Sequence, residues 1–373
     1  ANNMKSDPLD NQLIYEMGLV YDDVDGATMK VITEEYWNLR KIKHIVFVME
    51  KTSKSKVKPF TLKKSGSSLS GFKIEASALG TLILNILKED PDALMVHYPN
   101  HRFNPHFYAF VTHSKRYGLH EYVARMETLG IAQLSDMVEK LNLFLRDIRC
   151  EFESADFRRK ISDLKRKSQK NYQSLMIYLN ELFKKYSKLL ILRVDLTYRK
   201  SNSGLSGRVI PPTYDQVKQH RVTLLRSMKK HLESVLSKDC LVGNVWKLEY
   251  GQKKSWHYHF IVILNGQEVR QDIDLAHIIG KYWLAITNGN GLYYNCNQVK
   301  HHYKTPGIGL IGHRDKDLRE GLRKIAAYLT KTDPIVRMIV PGNGRTFGKG
   351  VVPRKASKHT GRPRQSDHAI KYA

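Results

Sequence analysis

The sequence predicts an α+β fold: an antiparallel sheet with flanking helices, preceded by a mainly helical N-terminal region. Three observations predict it. Segments 189–198, 241–250 and 256–264 are rich in β-branched and aromatic residues and are separated by turn-forming runs. Segments 211–236, 274–287 and 316–332 space their apolar residues as amphipathic helices do. Residues 119–188 carry a helical pattern of rising charge with no strand-like break. Strands alternating with helices over 186–341 suit a sheet with helices packed on it. The chain therefore divides into a basic, mainly helical region over 4–185, a sheet domain over 186–341 and a basic tail over 342–373.

In the N-terminal region, residues 4–45 are polar and mixed. Residues 51–71 carry six lysines and no acid, which reads as a basic loop or a hairpin with a flexible tip. A helix is expected over 76–89, where Leu79, Leu82, Ile83, Ile86 and Leu87 share a face. Residues 97–113 hold four histidines, His97, His101, His106 and His113, and two prolines; the spacing matches no usual ligand pattern, and they read as loop histidines. The piece 156–170 has seven basic residues. Its Arg158, Arg159, Lys165, Arg166 and Lys167 form either a solvated helix face or a face that tracks phosphates.

In the sheet domain, Thr213 and Gln216 form a capping box that opens the helix 211–236. Val217, Leu224, Met228, Leu232 and Val235 give that helix its buried stripe. The helix 274–287 turns Leu275, Ile278, Ile279, Tyr282, Trp283 and Ile286 inward. Strand-like pieces near 291–299 and 308–312 precede the last helix, and a strand is expected over 335–340. From 345 onward, eight Lys/Arg stand against one acid, which reads as a disordered basic arm.

Charge narrows the class of partner. The chain has 62 Lys+Arg against 36 Asp+Glu, a formal +26, which favours a polyanion such as nucleic acid. No apolar run approaches the length of a membrane span, and no signal peptide is visible. The three cysteines, Cys150, Cys240 and Cys296, are scattered. This disfavours a disulfide framework and a cysteine zinc site, and it suits a reducing compartment. No Walker A motif is present: 342-GNGRTFGKG-350 has the wrong spacing and no Ser/Thr after Lys349.

One strand carries chemistry. In 249-EYGQKKSWHYHFIVIL-264, alternation puts His257, His259, Ile261 and Ile263 on one face and Trp256, Tyr258 and Phe260 on the other. A five-residue turn over 251–255 sets Glu249 opposite His257 and Lys247 opposite His259. A slip of one residue breaks that arrangement. Two imidazoles and a carboxylate suit a divalent ion with open positions, and such an ion polarises a phosphoryl oxygen. HxH as plain core is the alternative in a chain of 16 histidines.

The helix 316–332 offers a nucleophile. Leu318, Leu322, Ile325 and Leu329 form its stripe, and at roughly 100° per residue Tyr328 falls on the border of that stripe. Lys324 and Lys331 stand one turn before and after it. The phenol is expected to leave the core there and meet an anion flanked by lysines. With 20 tyrosines in the chain, simple packing is the alternative.

Glu249, His257-Tyr258-His259 and Tyr328-Leu329-Thr330-Lys331 together resemble the HUH endonuclease pattern. The segments 193-RVDLTY-198, 211-PPTY-214 and 361-GRPR-364 are similar to replication initiators of filamentous-phage-like elements and satellite prophages. The resemblance covers about 186–365. It implies a five-stranded antiparallel sheet, His257, His259 and Glu249 as ligands of Mn²⁺ or Mg²⁺, Tyr328 as nucleophile, and Lys331 as a positioning cation or proton donor. Asp195 is a further candidate, near the metal or orienting a ligand. Lys247 and Lys324 join the basic helix residues as DNA-binding candidates.

The resemblance also implies the reaction: attack on single-stranded origin DNA, a 5′-phosphotyrosine link, a free 3′-OH for rolling-circle-type replication, and rejoining of ends. Lys324 occupies the position where some relatives carry a second tyrosine, so a single-tyrosine enzyme is expected. The implied partners are single-stranded and duplex origin DNA with a helicase and polymerase, in the cytoplasm of a bacterial host. A transposase or relaxase shares the pattern, and a DNA-binding regulator with no nuclease activity is the reading from another class.

Overall fold

The computed structural model describes residues 19–24, 27–32, 34–55, 59–66, 70–98, 101–199, 211–238, 240–251, 255–331, 336–338 and 344–351. The described residues begin with a hairpin, β1 (Leu19–Val24) and β2 (Ala27–Ile32), followed by helix α1 (Glu34–Lys54). A second hairpin, β3 (Thr61–Lys64) and β4 (Phe72–Glu75), occupies the lysine-rich stretch. Helices α2 (Ala78–Ile86) and α3 (Pro91–Met95), strand β5 (His101–Phe103), and helices α4 (Pro105–Arg116), α5 (Leu119–Ala124), α6 (Ile131–Glu153) and α7 (Ala155–Lys185) complete this half. Their apolar faces form one core that includes Ile42, Ile45, Phe107, Phe110, Leu141 and Phe144, all buried.

Two readings of this half need correcting. Within 4–45, which reads as polar and mixed, Leu39, Ile42 and Ile45 follow helical spacing and, with Val46 and Met49 just beyond, pack α1 into the core. His97 lies in a turn, as the loop reading expects, but His101 is in β5 and His106 and His113 are in α4. Asn104 caps α4 through its side chain on the His106 amide at 2.8 Å, and Pro105 takes the first helical position. His101, His106 and His113 are consequently buried, and His113 meets Glu151 at 2.7 Å.

Burial lowers the pKa of both His101 and His106 to about 4, so both are neutral in the fold at neutral pH. In the unfolded chain they titrate near 6.5. Their contribution to stability is therefore full above that value and is lost as pH falls from 6.5 toward 4, by roughly 3 kcal/mol each. Urea unfolding at pH 7.5 and pH 5 measures this loss. His106→Phe, at a site already walled by Phe152 and Phe157, removes one histidine's share.

The second half holds one six-stranded antiparallel sheet. Its elements are β6 (Lys188–Tyr198), helix α8 (Tyr214–Val235), β7 (Leu241–Gly251), β8 (Ser255–Asn265), helix α9 (Asp272–Ile286), β9 (Gly291–Asn295), β10 (Gly309–Gly312), helix α10 (Lys316–Thr330), β11 (Val336–Met338) and β12 (Phe347–Lys349). The order is β10-β6-β8-β7-β12, with β9 pairing the other stretch of β6. The expected count of five is short by one. Strand β12 lies in the stretch expected to be a disordered arm and adds itself to β7, while residues 352–373 lie outside the described residues. Strand β11 departs from the sheet and pairs with β5 of the N-terminal half.

Both faces of the sheet are covered, which is why β8 is buried along its whole length instead of alternating in and out. One face carries α8 and α9 over Leu192, Val194, Tyr258 and Phe260. The capping box of α8 forms as expected, with Thr213 and Gln216 bonded reciprocally. Val235, expected in its stripe, is 63% exposed in the last turn of the helix. The other face carries α10 and the second half of α7 over Leu189, Ile191, Ile261 and Ile263. Helix α7, roughly 46 Å long at 1.5 Å per residue, thus serves both halves: Phe157 belongs to the N-terminal core, and Leu175, Tyr178 and Leu182 belong to the sheet.

Helix α10 sits against the loop before β10. A methyl group on Gly321 would overlap the backbone of Pro306 and Gly307. A glycine inside a helix costs about 1 kcal/mol, so close packing is the reason to keep it. Gly321→Ala is expected to destabilise by about 1–3 kcal/mol in urea unfolding, because the helix must shift away from the sheet.

Candidate metal and nucleophile site

The hairpin register places the polar cluster. Strand β7 pairs Glu249 with His257, Lys247 with His259 and Tyr250 with Trp256, as the five-residue turn predicts. On the other side of β8, Asp195 of β6 pairs with His259. Period-2 alternation then sends Asp195, Arg193, His257, His259, Lys247 and Glu249 to the face that α10 covers. The cluster is the polar end of a face whose other end is Ile191, Ile261 and Ile263.

His259 stands at its centre and is fully buried. Its Nδ1 is 2.9 Å from Asp195 Oδ1, and its Nε2 is 3.2 Å from Glu249 Oε2. The His257 ring lies 4.5 Å from the His259 ring, centre to centre, and His257 Nε2 is 4.0 Å from Asp195 Oδ2. Asp195, His257 and His259 each offer a ligand atom, and all of these atoms lie within 4.8 Å of one another. The donor set fits a divalent ion: two imidazoles and one carboxylate, at 1%, 0% and 2% exposure. Glu249 shares the face but lies outside this compact trio.

The outer members are cations. Arg193 donates through Nε to Asp195 Oδ1 at 3.3 Å, and Lys247 meets Glu249 at 2.8 Å. Burial works against the charge on Asp195, yet Arg193 and His259, with His257, hold its carboxyl well below the usual carboxylate range. Burial also works against a charged His259. The facing carboxylates of Asp195 and Glu249 overcome it and raise the imidazole pKa.

Tyr328 closes the cluster. Its hydroxyl lies 2.9 Å from His259 Nε2. Contrary to the border position expected from the helical wheel, it is 3% exposed and points into the sheet. The wheel placed it correctly about 90° from the stripe, but the sheet beneath α10 is wide enough to cover that flank too. The cations beside it also differ. Lys247 Nζ is 4.8 Å and Arg193 Cζ 5.7 Å from the ring centre. Lys324 instead reaches Thr305 Oγ1 at 3.1 Å, and Lys331 caps the C-terminus of α10, half-buried.

A family model for the YagK/YfjJ C-terminal domain matches residues 153–350, more than half of the chain. The chain belongs to the YagK/YfjJ C-terminal domain family. No curated protein and no solved structure matches the chain. The YagK/YfjJ domain here takes in all of α7, the whole six-stranded sheet and every residue of the buried cluster. Its end at residue 350 falls just after β12, the strand in the stretch read as a tail.

The remaining DNA-binding candidates separate. Arg158, Arg159, Lys165, Arg166 and Lys167 are exposed on the first half of α7, at the start of the YagK/YfjJ domain. Arg159 and Arg166 pair with Asp156 and Asp163 one turn away. Lys247, by contrast, is 9% exposed and belongs to the buried cluster. Asp195, a further candidate from the sequence, joins the cluster, and Arg193 beside it was missed by sequence reasoning. The available signal was the RVD run at alternate positions of an otherwise apolar strand, where charges on one face call for partners.

Proposed function

We propose that this chain is a metal-dependent replication initiator that nicks single-stranded origin DNA with Tyr328 as nucleophile. The observation that carries the reading is the Tyr328 hydroxyl 2.9 Å from His259, inside the same buried cluster as His257 and Asp195. Asp195, His257 and His259 would hold Mn²⁺ or Mg²⁺, with Glu249 beside His259 as a further carboxylate. Bound there, such an ion makes a phosphodiester phosphorus a better electrophile.

The phenol oxygen of Tyr328 gives its proton to water and bonds to phosphorus, and the bond from phosphorus to the 3′ oxygen breaks as that oxygen takes a proton from water. The 5′ phosphate stays on the tyrosine, and the 3′ oxygen leaves as a protonated hydroxyl that a polymerase extends. Arg193 and Lys247, both close to the ring, offset negative charge developing on the phenol oxygen. An ester replaces an ester, so the reverse step rejoins ends. The buried phenol requires that strand binding open the site. With no Walker A motif in the sequence, unwinding falls to a partner helicase in the cytoplasm of a bacterial host. The fate of the 3′-OH, extension by polymerase or joining to another strand, separates an initiator from a transposase or relaxase.

A second reading is a DNA-binding regulator that never cuts. It is favoured by the unbroken chain of buried ion pairs Arg193–Asp195–His259–Glu249–Lys247. A denaturing gel of the protein with single-stranded oligonucleotides and Mn²⁺ decides between them. The nicking reading expects a covalent protein–DNA band that disappears in His257→Ala. No band on any strand, together with tight duplex binding, supports the regulator.

A further inference from the structure

A cleft of about 650 Å³ opens between α4 with β5 on one side and the basic half of α7 on the other. That volume lies within the ~300–1,000 Å³ of ordinary ligand sites. Its walls offer the cations Arg102, Lys160 and Lys167 and the ring of Tyr108, 39% exposed. The acids in the walls are Glu151, taken up by His113 at 2.7 Å, and Asp163, taken up by Arg166 at 2.6 Å. Lys160 shares an exposed pair with Asp156 at 2.7 Å, a contact that a phosphate displaces at small cost. Buried Phe103 meets the Tyr108 ring edge-on at 5.8 Å and fixes its plane.

Both walls continue into the nucleophile site. Ser168, next to Lys167, donates its hydroxyl to the Thr330 carbonyl at 3.2 Å, two residues beyond Tyr328. His101, next to Arg102, lies with Nε2 3.1 Å from the Tyr250 carbonyl, one residue from Glu249. The cleft is thus tied to the two elements that carry the phenol and the carboxylate.

We propose that this cleft is a single-strand subsite: one or two nucleotides flanking the cut phosphate enter it, a base stacks on Tyr108, and Arg102, Lys160 and Lys167 track the phosphates. A half-exposed aromatic with cations around it is the arrangement that holds single strands without reading their sequence. The choice of strand rests on the nicking reading above. The test is therefore run in EDTA, where binding is read without cleavage.

Anisotropy of a labelled single-stranded oligonucleotide is expected to show Tyr108→Ala binding about 5- to 100-fold more weakly than wild type. Tyr108→Phe should stay within about twofold. Arg102→Gln combined with Lys167→Gln should lower the slope of log affinity against log salt by about 1.4. Ultraviolet crosslinking of wild type to a bromodeoxyuridine-substituted strand needs no variant and should label peptides bearing Tyr108 or residues 160–167. Wild-type affinity in Tyr108→Ala with an unchanged salt slope, crosslinks only outside these peptides, or equal competition by duplex would each overturn the assignment. Loss of the covalent band with these binding effects intact would sink the nicking reading and leave the subsite standing.

Discussion

Tyr328→Phe is expected to form no covalent DNA adduct, while its affinity for single-stranded DNA should stay within about threefold of wild type. Removing the attacking oxygen removes the reaction, so the loss is on the order of 10³-fold or more. The ring keeps Lys247 and Arg193 near it, and the substitution deletes the hydroxyl bond to His259 at 2.9 Å. The stability cost is therefore about 1 kcal/mol. The two readouts, adduct on a denaturing gel and binding by anisotropy, separate a nucleophile from a packing tyrosine. A packing tyrosine would leave the adduct untouched.

His259→Ala has the largest expected effect on stability. It leaves the carboxylates of Asp195 and Glu249 facing a cavity at 2% and 8% exposure. Breaking a buried charge network from its centre costs about 3–5 kcal/mol. His257→Ala is milder, about 1–3 kcal/mol, because His257 stands 4.0 Å from Asp195, beyond hydrogen-bond reach of that carboxylate. For Mn²⁺ the two should rank together: calorimetric titration is expected to show at least tenfold weaker binding for each. Asp195→Asn should weaken Mn²⁺ more than Glu249→Gln, since Asp195 belongs to the compact trio. The reverse ranking would move the ion to the Glu249 side of His259.

Much of the sheet domain was legible because its strands and helices are long and strongly patterned. The β7–β8 register followed from one turn length, and that register alone set Glu249 and Lys247 opposite the two histidines. The capping box of α8 was equally local, since its two partners are three residues apart.

What was not legible depended on which surfaces meet. Tyr328 looked half-exposed because a helical wheel knows the angle of a side chain but not the width of the sheet beneath it. Asp195 joined the cluster only once β6 paired beside β8, a contact between residues 64 positions apart. Strand β12 has three residues in a basic, glycine-containing stretch, and its pairing with β7 supplies the order that composition withholds. The helix over 34–54 and the Asn104–Pro105 start of α4 were readable by the same rules used elsewhere, but their lysines and histidines outweighed the apolar spacing and the cap.

The central claim is that a metal-binding trio and a phenol form one phosphodiester-cutting site. The most direct measurement is mass spectrometry of the wild-type protein after incubation with Mn²⁺ and a pool of single-stranded oligonucleotides, followed by digestion with protease and nuclease. The expected result is a nucleotide joined through a 5′ phosphate to Tyr328, absent when Mn²⁺ is withheld. A nucleotide on any other residue, or none at all from strands that bind, would contradict it.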